Sequence, residues 1–445
     1  MNQKSIRGNT IPENGAVNPV VSGVVSGGML LPDTHILKQA ANIFHENSEQ
    51  NFLTLDDYKL SPGGQTQIKL QNVGLGEELE MFIEGEIVLA NSDAASKDVV
   101  LSPEFPYNII ANISTMFNGK VQLNNLSGYE LLGVMAKRNI SKTFMFNQVQ
   151  AITANGVGAA PVSEPKVDKH MAYCYIERPG GDTTSTIVAG KGLTGAAKVT
   201  LKGATSGIKV KFGFYLALPF TFRKDIPLGL IPMQNNSIYA NVTLRTNTLL
   251  GADESYPVST TNATTTLVSQ NIKCTPTYSF WGIPQNPNLY AFFVNNSYVL
   301  STYPKNDFNN KGSKALRFNF PNNYWLIAAI LTIRDKNKQL LDILNKTNNP
   351  HLVYNGTVTV DMTGIRTRYA REMFENGRVM GYGQLLFDGT SGVDMWTNSA
   401  DTSKWLNMYM ANNPTYFVDI DNTVEVPGEF DVLLEQLVPN YVRMM

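Results

Sequence analysis

The sequence predicts an all-β chain built in two halves, each interrupted part-way by one amphipathic helix. Three observations carry that reading. Alternating apolar and polar residues, the period of a half-buried strand, recur along most of the chain. Turn residues punctuate these runs at short intervals, as they do in sandwiches and barrels. The order of elements in the first half then recurs in the second, without any repeat at the level of residues.

Residues 1–50 read as an arm. Residues 15–32 are Gly-rich and apolar without a period, and Asp33 is the expected N-cap of a short helix. One helix face holds Ile36, Leu37, Ala40, Ala41 and Phe44. Such a face predicts docking on the chain's own domain; contact with a neighbouring subunit or a membrane is the alternative. From Leu53 the pattern is β. Leu79, Met81, Ile83, Ile87 and Leu89 alternate with Glu78, Glu80, Glu84 and Glu86. Tyr107 to Phe117 is a further strand region, and Asn118-Gly119 is a strong hairpin signal. Ser127 and Glu130 then have the spacing of a capping box ahead of an apolar face of Leu131, Leu132, Met135 and Ala136.

Residues 148–206 are rich in Gly, Ala, Thr and Ser and read as a long, mostly irregular insertion. Ile208, Val210, Phe212, Phe214, Leu216 and Leu218 alternate with Lys209 and Lys211 in the most informative stretch of the chain. Pro219 ends that strand, a Pro/Gly-bearing turn follows, and Ile238, Ala240, Val242 and Leu244 mark the next strand. Ile272 to Trp281 closes the first half. In the second, Ala291 to Tyr303, Ala315 to Phe320, Tyr324 to Ile333 and the run around Val358 read as strands. A helix is expected at Gly364 to Asn376, followed by strands at Val379–Phe387, Tyr416–Ile420, Thr423–Val426 and Phe430–Leu437.

The 445 residues suggest two domains of ordinary size, or three. Charged residues make up 16% of the chain, against about 25% in ordinary globular proteins. Its surfaces therefore rely on Asn, Thr, Ser and Gln, which suits packing against neighbouring subunits. The net charge of −1 provides no strongly basic face for nucleic acid. Cys174 and Cys274 make neither a disulfide framework nor a zinc site, and are expected as buried thiols of a chain folded in a reducing cytoplasm. Residues 1–19 lack the apolar core of a cleaved export signal, and the longest apolar run, Trp325 to Ile333, is about half a membrane-spanning helix.

Chemistry-bearing patterns are weak. His35, His45, His170 and His351 have no metal-ligand spacing, and no GxSxG elbow accompanies them. Gly192 to Lys198 lacks the full phosphate-loop pattern and precedes a β-like run. Asp388 to Asp394 reads as a turn before it reads as a calcium loop, and Asp419 and Asp421 as solvated strand carboxylates. Arg366, Arg368, Arg371 and Arg378 form the densest basic group: a solvated helix face, or a contact for lipid headgroups or an acidic partner. No catalytic, cofactor-binding or metal-binding residue is expected.

Two stretches resemble double jelly-roll major capsid proteins of tectivirus-like, tailless, internal-membrane-containing icosahedral viruses. One is the strand, loop, Ile-Pro, strand order of Ile208 to Arg245. The other is the Arg-rich run Thr363 to Val379, with its Gly-punctuated exit into Tyr382 to Asp388. The resemblance implies two consecutive eight-stranded antiparallel jelly rolls with a few short helices: an N-terminal arm over 1–50, a first roll over 51–285 carrying the 148–206 insertion, and a second roll over 286–445. It also implies a non-enzymatic subunit that forms a homotrimer, a pseudo-hexagonal capsomer tiling a virion shell. Its implied partners are neighbouring trimers, penton and minor capsid proteins and, through the arm, an underlying membrane, with no direct nucleic-acid contact and no cofactor. The chain would be made in the host cytoplasm. Two other classes share such sandwiches: a trimeric receptor- or sugar-binding spike, and a two-domain glycan amidase or glycosidase.

Overall fold

The computed structural model describes residues 34–439 except for loops, the longest being 139–151, 155–171, 178–185, 189–196, 362–383 and 389–404. Ahead of residue 34 it describes one short strand pair, Val24–Val25 with Gly28–Met29.

The first half contains Gln50–Thr54 (β1), Tyr58–Leu60 (β2), Gln65–Lys69 (β3), Leu75–Asn91 (β4), Ile110–Phe117 (β5), Val121–Leu126 (β6), Ile208–Pro219 (β7), Ile238–Leu244 (β8) and Thr265–Trp281 (β9). One sheet places β1 and β2 beside β9, then β4, then β7; the other runs β3, β8, β5, β6. The second half contains Asn296–Thr302 (β10), Leu316–Asn319 (β11), Trp325–Arg334 (β12), Thr347–Tyr354 (β13), Thr357–Asp361 (β14), Gln384–Asp388 (β15), Thr415–Ile420 (β16) and Gly428–Pro439 (β17). Its sheets run β10, β17, β12, β15 and β11, β16, β13, β14. The strand order is the same in both halves, and in each it is the winding of an eight-stranded jelly roll. The recurrence of element order in the sequence is thus a recurrence of topology.

Period-2 patterning sets the cores. Ile208, Val210, Phe212, Phe214, Leu216 and Leu218 of β7 are all fully buried, as are Leu79, Met81, Ile83, Ile87 and Leu89 of β4. The register places them side by side, with Phe214 opposite Ile83 and Leu216 opposite Met81. A one-residue slip would turn both rows to solvent, so burial itself specifies the pairing. The outward positions carry a ladder of opposite charges: Lys273 Nζ lies 2.6 Å from Glu84, Lys211 Nζ 2.7 Å from Glu177 and Lys224 Nζ 3.2 Å from Glu80. In the β5–β6 hairpin, Asn118 and Gly119 take φ of 50° and 68°, the left-handed backbone that an Asn-Gly turn supplies at little cost.

The capping box forms as expected at the helix Gly128–Arg138 (α2). Ser127 N–H donates to Glu130 Oε2 at 2.7 Å, and Glu130 N–H donates to Ser127 Oγ at 3.2 Å. Replacing Ser127 with alanine is expected to cost about 0.5–2 kcal/mol, read as a lower urea midpoint with an unchanged slope.

Three expectations change. Ala291 to Tyr303 is not one strand: Pro287–Val294 is a helix (α3), and β10 follows it. Asn286 caps α3 by accepting from Asn288 N–H at 3.0 Å, and Pro287 opens its first turn, so the Asn-Pro pair was the missed start signal. Thr423 to Val426 is a turn, because Asp421 Oδ1 accepts from Thr423 N–H at 2.8 Å and bends the chain between β16 and β17. The 148–206 insertion is less irregular than its composition suggests. Ala172–Glu177 extends the first sheet beyond β7, and Thr186–Val188 and Ala197–Leu201 build a smaller sheet on Lys97–Leu101. The helix expected at Gly364 to Asn376, with Arg366, Arg368, Arg371 and Arg378, lies outside the described residues.

Candidate functional site

The two rolls meet in a built seam. The last strand of one first-roll sheet, β6, pairs in parallel with β10 of the second roll, Leu300 opposite Asn124 and Ser301 opposite Asn125. One sheet therefore continues from the first roll into the second. Side chains stitch the junction: Asn124 Oδ1 accepts from Leu300 N–H at 3.0 Å, and Thr302 Oγ donates to the Asn125 carbonyl at 3.0 Å.

Strands β12 and β17 are covered on both faces. Leu326, Ala329, Leu331, Ile333, Phe430, Val432 and Leu434 lie in the second roll's own core. Ile327, Ala328, Ile330, Leu433 and Leu437 instead join the core of the first. This explains why the run Trp325 to Ile333 is apolar except for Thr332: a strand buried on both sides needs no polar face. Among the described residues, no helix is long and apolar enough to cross a membrane.

The turn after β7 forms the first roll's side of the seam. Phe220, Phe222, Ile226, Leu228 and Leu230 are all buried. The Phe222 ring meets Trp405 of the second roll edge-on at 4.9 Å. Gly229, at φ 98°, donates its N–H to the Phe293 carbonyl at 3.0 Å, and a Cβ there would stand 2.7 Å from Tyr298 N. The helix Thr34–Asn47 (α1) closes one end. Leu37, Ala40, Ala41 and Phe44 are at most 1% exposed, and Phe44 lies 5.3 Å from Trp281 and 4.9 Å from Phe293 between ring centroids. The expected docking on the chain's own core is what the structure shows.

A polar cluster sits in this apolar seam. Arg334 of β12 and Asp431 of β17 form an ion pair of 3.1 Å, their side chains 11% and 3% exposed. Glu130 of α2 is also buried, and the charges of Asp431 and Arg334 act on it. Burial, then the Asp431 charge, pushes its carboxyl up to about 7, against the opposing pull of the Ser127 hydrogen bonds and of Arg334. On the same strand, Glu435 accepts from the Tyr298 hydroxyl at 2.5 Å, and Glu429 is also buried. Sequence reasoning missed this cluster. Acids at alternate positions of a strand read as a solvated face, and the contrary signal was the both-face burial implied by the apolar partner strand.

The other residues weighed in the sequence are not brought together. His45 packs on Trp281 at 4.8 Å, and His351 stacks on Phe417 at 5.1 Å. Asp419 accepts from Asn349 at 3.0 Å, while Asp421 binds its own turn. Ala197 and Lys198 open a strand, Asp388 ends β15, and Cys274 is a buried free thiol. His170 and the remainder of the Asp388–Asp394 loop lie outside the described residues. Among those described, no group of three or more His, Cys, Asp or Glu is placed to hold a metal ion.

Topology and seam together define a double jelly roll. Solved viral capsid proteins share this fold. The chain is similar to the STIV major capsid protein, with a TM-score of 0.56 at 11% identity over 89% of this chain and 99% of that one. It is likewise similar to a chain of the Sulfolobus Turreted Icosahedral Virus atomic structure, with a TM-score of 0.56 at 10% identity over 89% and 92%. For the PBCV-1 virus capsid the TM-score is 0.52 at 9% identity over 88% and 95%. No protein-family model matches the sequence, and no curated protein does. The fold that the two sequence stretches implied is the fold observed.

Proposed function

We propose that this chain is a major capsid protein, a structural subunit whose mechanism is geometric. The observation that carries the proposal is the seam: a sheet shared across two jelly rolls makes one chain a rigid two-roll block. Three such blocks, six rolls in all, give a pseudo-hexagonal capsomer that tiles an icosahedral facet. The rolls divide at about 285/286, ahead of α3. The partners of the block are two further copies of itself, neighbouring trimers, and penton and minor capsid proteins. An internal membrane beneath the shell would be met through residues that precede α1, since α1 itself is committed to the core. No catalytic residue takes part.

The test is light scattering coupled to size exclusion, with negative-stain images of the peak. A stable particle of three times the 49.1 kDa chain mass, hexagonal in outline and forming flat arrays, is the expected result. A monomer that never assembles would overturn the proposal. A trimer that never tiles would favour a receptor-binding spike.

A further inference from the structure

We propose that the seam between the rolls contains a binding site for one water molecule, seated between Asn124 of β6 and Thr115 of β5, and that this water fixes the Asn124 side chain that joins the first roll's sheet to the second. The site goes beyond the capsid reading and does not depend on it.

Asn124 joins the rolls through its side chain. Leu300 of β10 lies opposite it, and the Leu300 N–H donates to Asn124 Oδ1 at 3.0 Å. The register of β5 with β6 skips a residue at this point: Thr115 pairs with Asn124, and Met116 with Gln122. Such a bulge re-aims the side chain beside it, here across the sheet edge toward the second roll. With Oδ1 committed to Leu300, the amide cannot be turned over, because that would set N–H against N–H. Its Nδ2 is buried and has no hydrogen-bond partner within the protein. Thr115, directly opposite, has the same defect: its Oγ1 is buried without a partner. The two residues are 2% and 0% exposed.

Directly opposite residues of an antiparallel pair share one face of the sheet, with Cβ atoms about 4.5–5.5 Å apart. A polar gap of that size, not closed by a direct bond, suits one bridging water. The chemistry selects water over other small ligands. Asn124 Nδ2 only donates and needs an acceptor, which excludes a metal or ammonium ion. The walls exclude an anion. Ile113 and Phe117 flank Thr115 on β5, Leu126 flanks Asn124, and Ala240 lies on the other side of Thr115, all of them buried. Strand β5 contains no ionisable side chain. Ala240 is also the smallest of the inward residues of β8, beside Ile238, Val242 and Leu244, and leaves room at Thr115. Water accepts from Asn124 Nδ2 and donates to Thr115 Oγ1, so each orphan gains the partner that burial denies it. The Asn124 amide is then held at both ends, by the water and by Leu300.

An experimental structure of the full chain, at a resolution that shows ordered waters, tests the site. The expected result is a density peak about 2.7–3.2 Å from both Asn124 Nδ2 and Thr115 Oγ1. No peak there, or a direct bond between the two side chains, would overturn the site. Thr115→Val has nearly the same shape without the hydroxyl, and it tests what the water does. Hydrogen–deuterium exchange of peptides spanning 296–302 is expected to quicken at least about fivefold in T115V, because the Asn124 amide is freed to turn away from Leu300. Thr115→Ser keeps the hydroxyl, so its exchange is expected to match wild type, and β7, in the first core, is expected to hold its protection in both variants. Unchanged exchange in T115V would overturn the role of the water, and so would an equal gain in T115S. Should T115V fail to fold, the density decides: a peak kept in both wild type and T115S supports the site, and a peak missing from either overturns it.

Discussion

Arg334→Met is expected to destabilise the protein by about 3–5 kcal/mol, because it removes one partner of a buried ion pair and strands the other. Asp431 is 3% exposed by side chain, and a charge left there without Arg334 must be neutralised or drag water into the seam. Methionine has nearly the volume of the arginine stem, so the effect isolates charge from packing. The loss is expected to be larger at about pH 8 than at about pH 5, since Glu130 is then ionised and its charge acts on that of Asp431. Urea unfolding followed at several pH values measures both. A midpoint that stays at the wild-type value would show that the pair contributes nothing net, as happens when desolvation cancels attraction. The double variant Arg334→Met with Asp431→Leu is expected to recover part of the stability, because it removes the stranded charge as well.

Phe44→Ala is expected to cost about 3–5 kcal/mol, the usual range for emptying a fully buried aromatic site. Phe44 of α1 packs both on Trp281, the last residue of β9, and on Phe293 of α3. The cavity would open where the first roll, the connecting helix and the arm helix meet, and rigid sheets on either side limit its collapse. Trp281 fluorescence should shift to the red as water reaches its ring, before global unfolding. A variant as stable as wild type, with an unshifted spectrum, would mean that α1 is dispensable to the core. The arm from Thr34 onward would then be free for the membrane or neighbour contacts that the docked helix forecloses.

Much of the architecture was legible because it is written in short-range patterns. Alternation in β4 and β7 named the inward residues, since a strand has two faces and water can wet one of them. Ser127 with Glu130, and Asn118 with Gly119, are local chemistry: each satisfies backbone groups or a left-handed turn within a few residues. Errors came where two local signals competed. In the Ala291 to Tyr303 stretch, aromatic β-formers outweighed the Asn286-Pro287 start signal, and the tertiary contacts of Leu289, Phe292 and Phe293 decided for a helix. In the 148–206 insertion, the Gly/Ala/Thr background hid the strand Ala172–Glu177, whose partners on β7, Lys209 to Phe214, lie well downstream.

By itself, the sequence determined the fold class, the two-half plan and the faces of the main strands. The tertiary structure alone decided how the halves join. The parallel pairing of β6 with β10 brings together residues far apart in the chain, and no periodicity encodes which sheet edge meets which. The meaning of Arg334 and Asp431 also waited on the tertiary structure. Both lie on strands whose alternation reads as a solvated face, and both are buried in the folded chain. Burial is a property of the neighbour, and it is the neighbour that turns residues with the pattern of a solvated face into a buried ion pair.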